Sequence, residues 1–374
     1  MKNSMVYKIK KFGQSVWYDN IRRGLIVSGE LKRMVDEDGI CGITSNPTIF
    51  EKAITGNQDY DEEIIQLSKE NRNAEDIYNI LTVEDISMAA DLLSEVYQNT
   101  GMDDGYVSIE VSPKYAYNTN AAIIEARRIR KEIDKPNIMI KVPATKEGIP
   151  AIEQLISEGI NINVTLIFSM KQYENVARAY INGLGKLSEN GGDLSGIRSV
   201  ASVFISRIDT YVDRLLEDKI SKEKDESGKE ELAGLKGKTA VAYVKQVYQL
   251  SKQIFAGEDF MTLKVKGAST QRPLWASTGV KNPGYRDTMY IEELIGPGTV
   301  NTVPNATLEA FRDHGMPGLN LEKDLDKSTK VLESIRDTGI DMNNVCEILQ
   351  KEGVESFAES FENLIKAIRR KGEK

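Results

Sequence analysis

One lysine inside an otherwise apolar run is the first feature of this sequence that could do chemistry. Lys141 sits in Asn137-Ile138-Met139-Ile140-Lys141-Val142-Pro143, where apolar and β-branched residues give the pattern of a short buried strand. Strand side chains alternate faces, so Lys141 shares its face with Met139. Pro143 cannot donate to a ladder and should end the strand just beyond the lysine. An ammonium among apolar groups is costly unless it is paired or gives up its proton. The neutral amine is the form that attacks a ketone to make an imine. Taken alone, the segment equally allows a lysine that snorkels to solvent from a strand end.

Other reactive side chains fall at comparable places. Asp19 ends one strand-like run and Glu110 stands near the end of another. Ser45-Asn46-Pro47 follows a strand, and Pro47 suits a first helical position with Asn46 as its cap, which by itself explains that asparagine. Residues 160–168 alternate, with Asn161, Asn163 and Thr165 on one face and Ile162, Val164 and Leu166 on the other. A polar face on a central strand makes sense lining a site inside a barrel. Ser206 and Asp209 read as a capping box that puts Arg207 in the first turn of a helix, where free N–H groups and a guanidinium suit a phosphate. An ordinary surface arginine fits there as well. Lys281, in the loop after the strand at 273–278, could also serve an anion.

Composition excludes several chemistries. The single histidine, His314, lies in a turn-rich stretch, so a His-rich zinc site is ruled out and any Ser-His-Asp triad would have to use it. The expectation is no metal and no cofactor. A formal charge of −8 argues against general nucleic-acid binding, and means that an anionic ligand would need a local cluster of cations. Two cysteines, Cys41 and Cys346, make no disulfide framework and suit a reducing compartment. The start of the chain is polar and basic, unlike a secretory signal, and no stretch is apolar enough to span a membrane. A cytoplasmic protein is expected.

The elements that must position these residues form a regular series. Eight strand candidates alternate with helices, the pattern of an α/β fold of the (β/α)8 TIM-barrel type with additional helices. Ser28 reads as the cap of a helix stopping at Gly39. Thr82 with Asp85 reads as a capping box starting a second helix within a long helical region, and Ser169 with Gln172 as another. Residues 1–374 are expected to form one barrel domain. A charge-dense solvated excursion is expected at about 217–238, and further helices from about 321 with apolar stripes such as Val345, Leu349, Val354, Phe357 and Phe361. The polar residues named above lie at or just after the carboxyl ends of the strands, the end of such barrels that holds the site. That coincidence favours a chemical role for Lys141.

With these segments assembled, the chain resembles the transaldolase family, in its longer form, over essentially the whole length. The likeness rests on Ser15-Val16-Trp17-Tyr18-Asp19-Asn20, Thr44-Ser45-Asn46-Pro47, Ser108-Ile109-Glu110-Val111 and Ile140-Lys141-Val142-Pro143-Ala144-Thr145. It continues in Asn163-Val164-Thr165-Leu166-Ile167-Phe168-Ser169, Ser202-Val203-Phe204-Ile205-Ser206-Arg207 and Trp275-Ala276-Ser277-Thr278-Gly279. The resemblance implies transfer of a dihydroxyacetone unit from sedoheptulose 7-phosphate to glyceraldehyde 3-phosphate in the non-oxidative pentose phosphate pathway, by a monomer or homodimer. It implies Lys141 as the Schiff-base lysine, Asp19 as the acid/base at the C4 hydroxyl, and Glu110 and Thr165 as holders of a water. Asn46, Asn163 and Ser202 would bind the hydroxyls or orient the lysine, with Phe204 and Ser277 also at the substrate. Arg207 would take the phosphate. For a second phosphate cation, Lys281 is assigned, with Arg272 as a rival. The alternatives are a fructose-6-phosphate aldolase, in which glutamine and tyrosine typically replace Glu110 and Phe204, and a non-catalytic phosphosugar-binding protein on the same barrel.

Overall fold

The computed structural model describes residues 4–373. Eight parallel strands close in sequence order into a barrel. They are β1 (Gln14–Tyr18), β2 (Gly42–Thr44), β3 (Tyr106–Glu110), β4 (Ile138–Pro143), β5 (Ile162–Ile167), β6 (Ser199–Phe204), β7 (Arg272–Ala276) and β8 (Thr299–Val303). The expected TIM barrel is what the chain forms. The helices that bear on the site are α1 (Pro47–Thr55), α2 (Ala74–Leu92), α3 (Thr119–Ile133), α4 (Met170–Glu189), α5 (Ser206–Ile220), α6 (Glu226–Ala233), α7 (Thr239–Phe255) and α8 (Met342–Gly372).

Strand register sets the chemistry side by side. Glu110 pairs with Lys141 across β3 and β4, and Lys141 with Asn163 across β4 and β5. The barrel interior is polar at this level: Asn163 Nδ2 donates to Ser108 Oγ at 3.0 Å, and Ser202 Oγ donates to Asn163 Oδ1 at 2.7 Å. Buried amides and hydroxyls must find partners, and here three strands supply them to one another. The other end of the barrel is closed around Asp104. Its carboxylate accepts from Ser15 Oγ at 2.6 Å and Trp17 Nε1 at 2.9 Å, and pairs with Arg272 at 3.2 Å. Trp17 fills the space beside Gly42, where a Cβ would stand 2.4 Å from the indole ring, so only glycine fits.

Several local expectations are corrected. Thr82 starts no helix: α2 runs unbroken, and Thr82 Oγ1 donates back to Tyr78 O at 2.8 Å. Asp85 instead accepts from Arg23 Nε and Tyr60 OH, a tertiary demand that outweighs the capping pattern. Ser206 and Asp209 form no capping box either. Ile205 occupies the cap position, while Asp209 accepts from Ala240 N at 2.7 Å and Tyr290 OH at 2.9 Å. Gly29, with φ 78°, caps the helix assigned to Ser28. His314 ends a helix, Asn305–His314, and is not in a loop. The charged 217–238 excursion, expected as helix and loop, holds one helix, α6, while the terminal apolar stripes, expected on several helices, lie on one of 31 residues, α8.

Replacing Asp104 with alanine would leave the Trp17 N–H without its acceptor and Arg272 without its carboxylate. It should lower stability by roughly 3 kcal/mol, read from urea unfolding, while the folded variant keeps its turnover because Asp104 lies at the far end of the barrel. A loss below about 1 kcal/mol would contradict this role.

Candidate active site

At the carboxyl ends of the strands lies a cavity. Asp19, Asn46, Lys141, Thr165, Ser202, Phe204, Arg207, Ser277 and Lys281 all line it, so nine residues singled out from the sequence meet in one place. Glu110 and Asn163 do not line it. Asn163 is fully buried beneath it in the chain of amide and hydroxyl bonds described above. Glu110 stands behind Lys141. Arg272 is at the opposite end of the barrel, tied to Asp104 and Thr299 O, which leaves Lys281 as the residue positioned for an anion.

Lys141 is 5% exposed. Its Nζ donates to Ser45 O at 2.9 Å and lies 3.6 Å from Glu110 Oε2. Ser45 is the bend between β2 and α1, held by the cap that the sequence suggests: Asn46 Oδ1 accepts from Ile49 N at 3.0 Å, with Pro47 at the first helical position. The cap occupies the Asn46 oxygen, so only its amide NH₂ remains for a ligand. Burial pushes the Glu110 carboxyl up to about 7, against the pull of Lys141, and the charge of Asp19 adds to the rise. Burial also raises Asp19, opposed first by the hydrogen bond from Thr44 Oγ1 at 2.6 Å and then by Lys141. Thr44 in turn meets Thr302 Oγ1 at 2.6 Å. Two carboxyls therefore flank one amine, each held by different neighbours, which is how one site keeps two acids in different protonation states.

Thr165 is aimed by an irregularity. The register of β5 on β6 shifts between Val164 and Ile167, with Leu166 at φ 58°. Such bulges re-aim side chains near sites. Thr165 Oγ1 is buried and has no protein partner. Helix α8 secures the bulge: Gln350 Nε2 donates to Ala144 O and Leu166 O, and Cys346 Sγ to Phe168 O. The same helix brings Phe357 to the cavity wall.

Three cations, Lys52, Arg207 and Lys281, line the cavity, and none makes an ion pair among the described residues. Burial works against the charge of Arg207, whose guanidinium lies 5.8 Å from the Phe204 ring centre. Three cations on one cavity wall make a local positive patch in a chain of net charge −8. Sequence reasoning missed Lys52, whose only signal is its place on the helix after β2, and Phe357, which was read as core. It also missed the latch from α5, which carries Arg207, to the loop carrying Lys281. Asp213 accepts from Tyr285 OH at 2.7 Å and Gly237 N at 2.9 Å, beside the Asp209–Tyr290 bond.

A closed parallel barrel whose cavity gathers a buried lysine, a carboxyl and three cations at the carboxyl ends of its strands is the architecture of a (β/α)8 enzyme. The sequence profile described as transaldolase/fructose-6-phosphate aldolase matches residues 16–368. A transaldolase of Trichodesmium erythraeum is 45% identical over 376 residues, covering 100% of this chain and 99% of the relative. A transaldolase 2 of Nostoc punctiforme is 46% identical over 371 residues, 98% of this chain and 97% of the relative. A transaldolase of Thiobacillus denitrificans is 43% identical over 360 residues, 96% and 98% of the two chains. The chain belongs to the transaldolase/fructose-6-phosphate aldolase family.

The raised Glu110 carboxyl makes a stability prediction. Its ordinary value is 4.5 and its folded value about 7, so between them the folded chain binds more protons than the unfolded one. Stability should therefore fall as pH rises through that window, by about 3 kcal/mol in all from this group. Glu110→Gln should remove the fall, gaining on the parent above the window and not below it, in urea midpoints measured on both sides. A difference independent of pH would contradict the burial account.

Proposed function

We propose that the transaldolase reaction of this chain runs through an imine between Lys141 and the ketose carbonyl carbon. The observation that carries this is the placing of Lys141 Nζ, buried in the cavity wall 3.6 Å from one carboxyl group, with a second, Asp19, in the same cavity. The amine adds to the carbonyl carbon of sedoheptulose 7-phosphate, and Glu110 and Thr165 handle the water that leaves as the iminium forms. The iminium then draws electrons from C3 as a Lewis acid would, so the chemistry itself calls for no cofactor. Asp19 takes the proton of the C4 hydroxyl while the C3–C4 bond breaks, which frees erythrose 4-phosphate and leaves a three-carbon enamine on Lys141. Glyceraldehyde 3-phosphate accepts that unit by the reverse steps, and hydrolysis releases fructose 6-phosphate. Proton transfer of this kind needs groups whose affinities lie near the working pH, and raised carboxyls meet that need.

Arg207 and Lys281 suit the phosphate, Asn46 and Ser202 the hydroxyls of the dihydroxyacetone unit, and Phe204 and Ser277 the remaining wall. Asn163 acts by holding Ser202 and Ser108 and so fixes the floor under the lysine. The reaction places the chain in the non-oxidative pentose phosphate pathway, and we assign it to the cytoplasm as a monomer or homodimer. Among the described residues no helix is long and apolar enough to cross a membrane. The family also includes fructose-6-phosphate aldolases. Glu110 and Phe204, where those enzymes typically carry glutamine and tyrosine, favour transfer over simple release.

Borohydride added with fructose 6-phosphate should fix a dihydroxyacetone or hexose mass on Lys141, located by peptide mass spectrometry. No adduct on folded protein would point to a non-catalytic sugar binder. Arg207→Ala should raise KM for phosphorylated donors at least about tenfold and leave unphosphorylated ketoses nearly unaffected; equal losses on both would move the phosphate elsewhere.

A further inference from the structure

Glu110 has a second face. Behind it, between the end of β3, α2, α3 and α8, lies a separate small cleft. Tyr78, Asn79, Thr82, Ser112 and Tyr115 line it together with Glu110, and it shares no lining residue with the cavity that holds Lys141. Glu110 joins the two: it lines the cleft, and its Oε2 lies 3.6 Å from the nitrogen of Lys141, which lines the cavity. That oxygen and Ser112 Oγ are buried without a protein hydrogen-bond partner. Buried polar atoms are nearly always satisfied, and a polar, roomy cleft satisfies them with water.

The imine reading gives such a cleft a task. When the carbonyl carbon joins Nζ, its C–O bond pair leaves with the oxygen. The three protons held at the start between Nζ and Glu110 end as one on the iminium nitrogen and two on a departing water. That water is formed beside Glu110 while the sugar fills the cavity in front. One water must return when the product imine is hydrolysed, and none should reach the enamine in between. A passage on the far side of the proton-transfer group meets all three conditions.

We propose that the cleft behind Glu110 is the water port of the site, through which the carbonyl oxygen leaves as water and hydrolytic water returns. The port rests on the imine reading and deepens it. Glu110 is the gate: its carboxyl passes protons between the amine and the cleft, and its side chain turns aside to let each water by. Ser112 and the hydroxyl and amide groups along α2 hold the water behind it. The groups facing Glu110 are Lys141 and Asp19 from the barrel and Tyr78 from α2. The Arg128 guanidinium at the rim is tied to Glu125 and Glu132.

The test follows the oxygen. Fructose 6-phosphate is incubated with enzyme and no acceptor in water carrying heavy oxygen, and label entering the ketose carbonyl is measured by mass spectrometry. In the parent protein the released oxygen escapes through the port and label enters with each imine cycle. Ser112→Val, which fills the cleft at its inner end, and Asn79→Leu, which fills its mouth, should cut label entry about tenfold relative to imine formation, because trapped water returns to the same carbon. Ile129→Val, which trims an apolar wall residue and keeps the cleft open, should exchange at the parent rate or faster, so the result does not hang on one variant's folding. The same samples are trapped with borohydride. A trapped imine with unchanged label entry in both filled variants overturns the port and leaves the imine standing. Absence of any trapped imine in the parent overturns the imine instead.

Discussion

The arrangement depends on taking one lysine and one glutamate out of water together. Both are buried, and a charge left unpaired in a barrel wall costs several kcal/mol, a cost the Glu110 carboxyl avoids by keeping its proton up to about pH 7. Their contact at 3.6 Å is long for a tight ion pair, and the lysine's close hydrogen bond goes to the neutral carbonyl of Ser45. The pair is therefore loosely joined. Burial holds the glutamate up at about 7, so near neutral pH its carboxyl can both take and give a proton. A tighter bridge would be more stable and less reactive.

Much of the surrounding structure serves to keep that pair in place. The cap at Asn46 fixes the bend whose carbonyl receives the lysine, and the bulge at Leu166 aims Thr165 at the same point. Helix α8 crosses the barrel mouth from the bulge to α1, bonding Gln350 at one end and Ser360 to Thr48 further along. It walls the cavity with Phe357 and closes the cleft behind Glu110 with Phe361. Electrostatics organises the rim. Lys52, Arg207 and Lys281 stand at the mouth with no ion pair among the described residues, and α5 and the Lys281 loop are held together by Asp209 and Asp213 through Tyr290 and Tyr285.

How much of this was legible in the sequence depended on the range of the interaction. The barrel was readable because strands and helices announce themselves through local period and punctuation, and most site residues sit where a strand ends. Local caps at Asn46 and Ser169 were read correctly, because their partners are three residues away. The patterns at Thr82 and Ser206 looked the same and were misread, because Asp85 and Asp209 are used by Arg23 and Tyr60 and by Ala240 and Tyr290 from distant parts of the chain. The lysine at 52, the wall at Phe357 and the separation of Glu110 from the main cavity were out of reach for a related reason: each depends on how α1, α8 and α2 pack around the mouth. Arg272, equal to Lys281 by sequence position, is separated from it only by which end of β7 it occupies.

The most direct measurement is a crystal structure of the protein soaked with fructose 6-phosphate in the absence of an aldehyde acceptor. The account predicts continuous density from Lys141 Nζ to the ketose carbonyl carbon, with the hydroxyl-bearing carbons toward Asp19 and any phosphate against Arg207 and Lys281. A sugar lying in the cavity with no bond to Lys141, or one joined to another side chain, would contradict it.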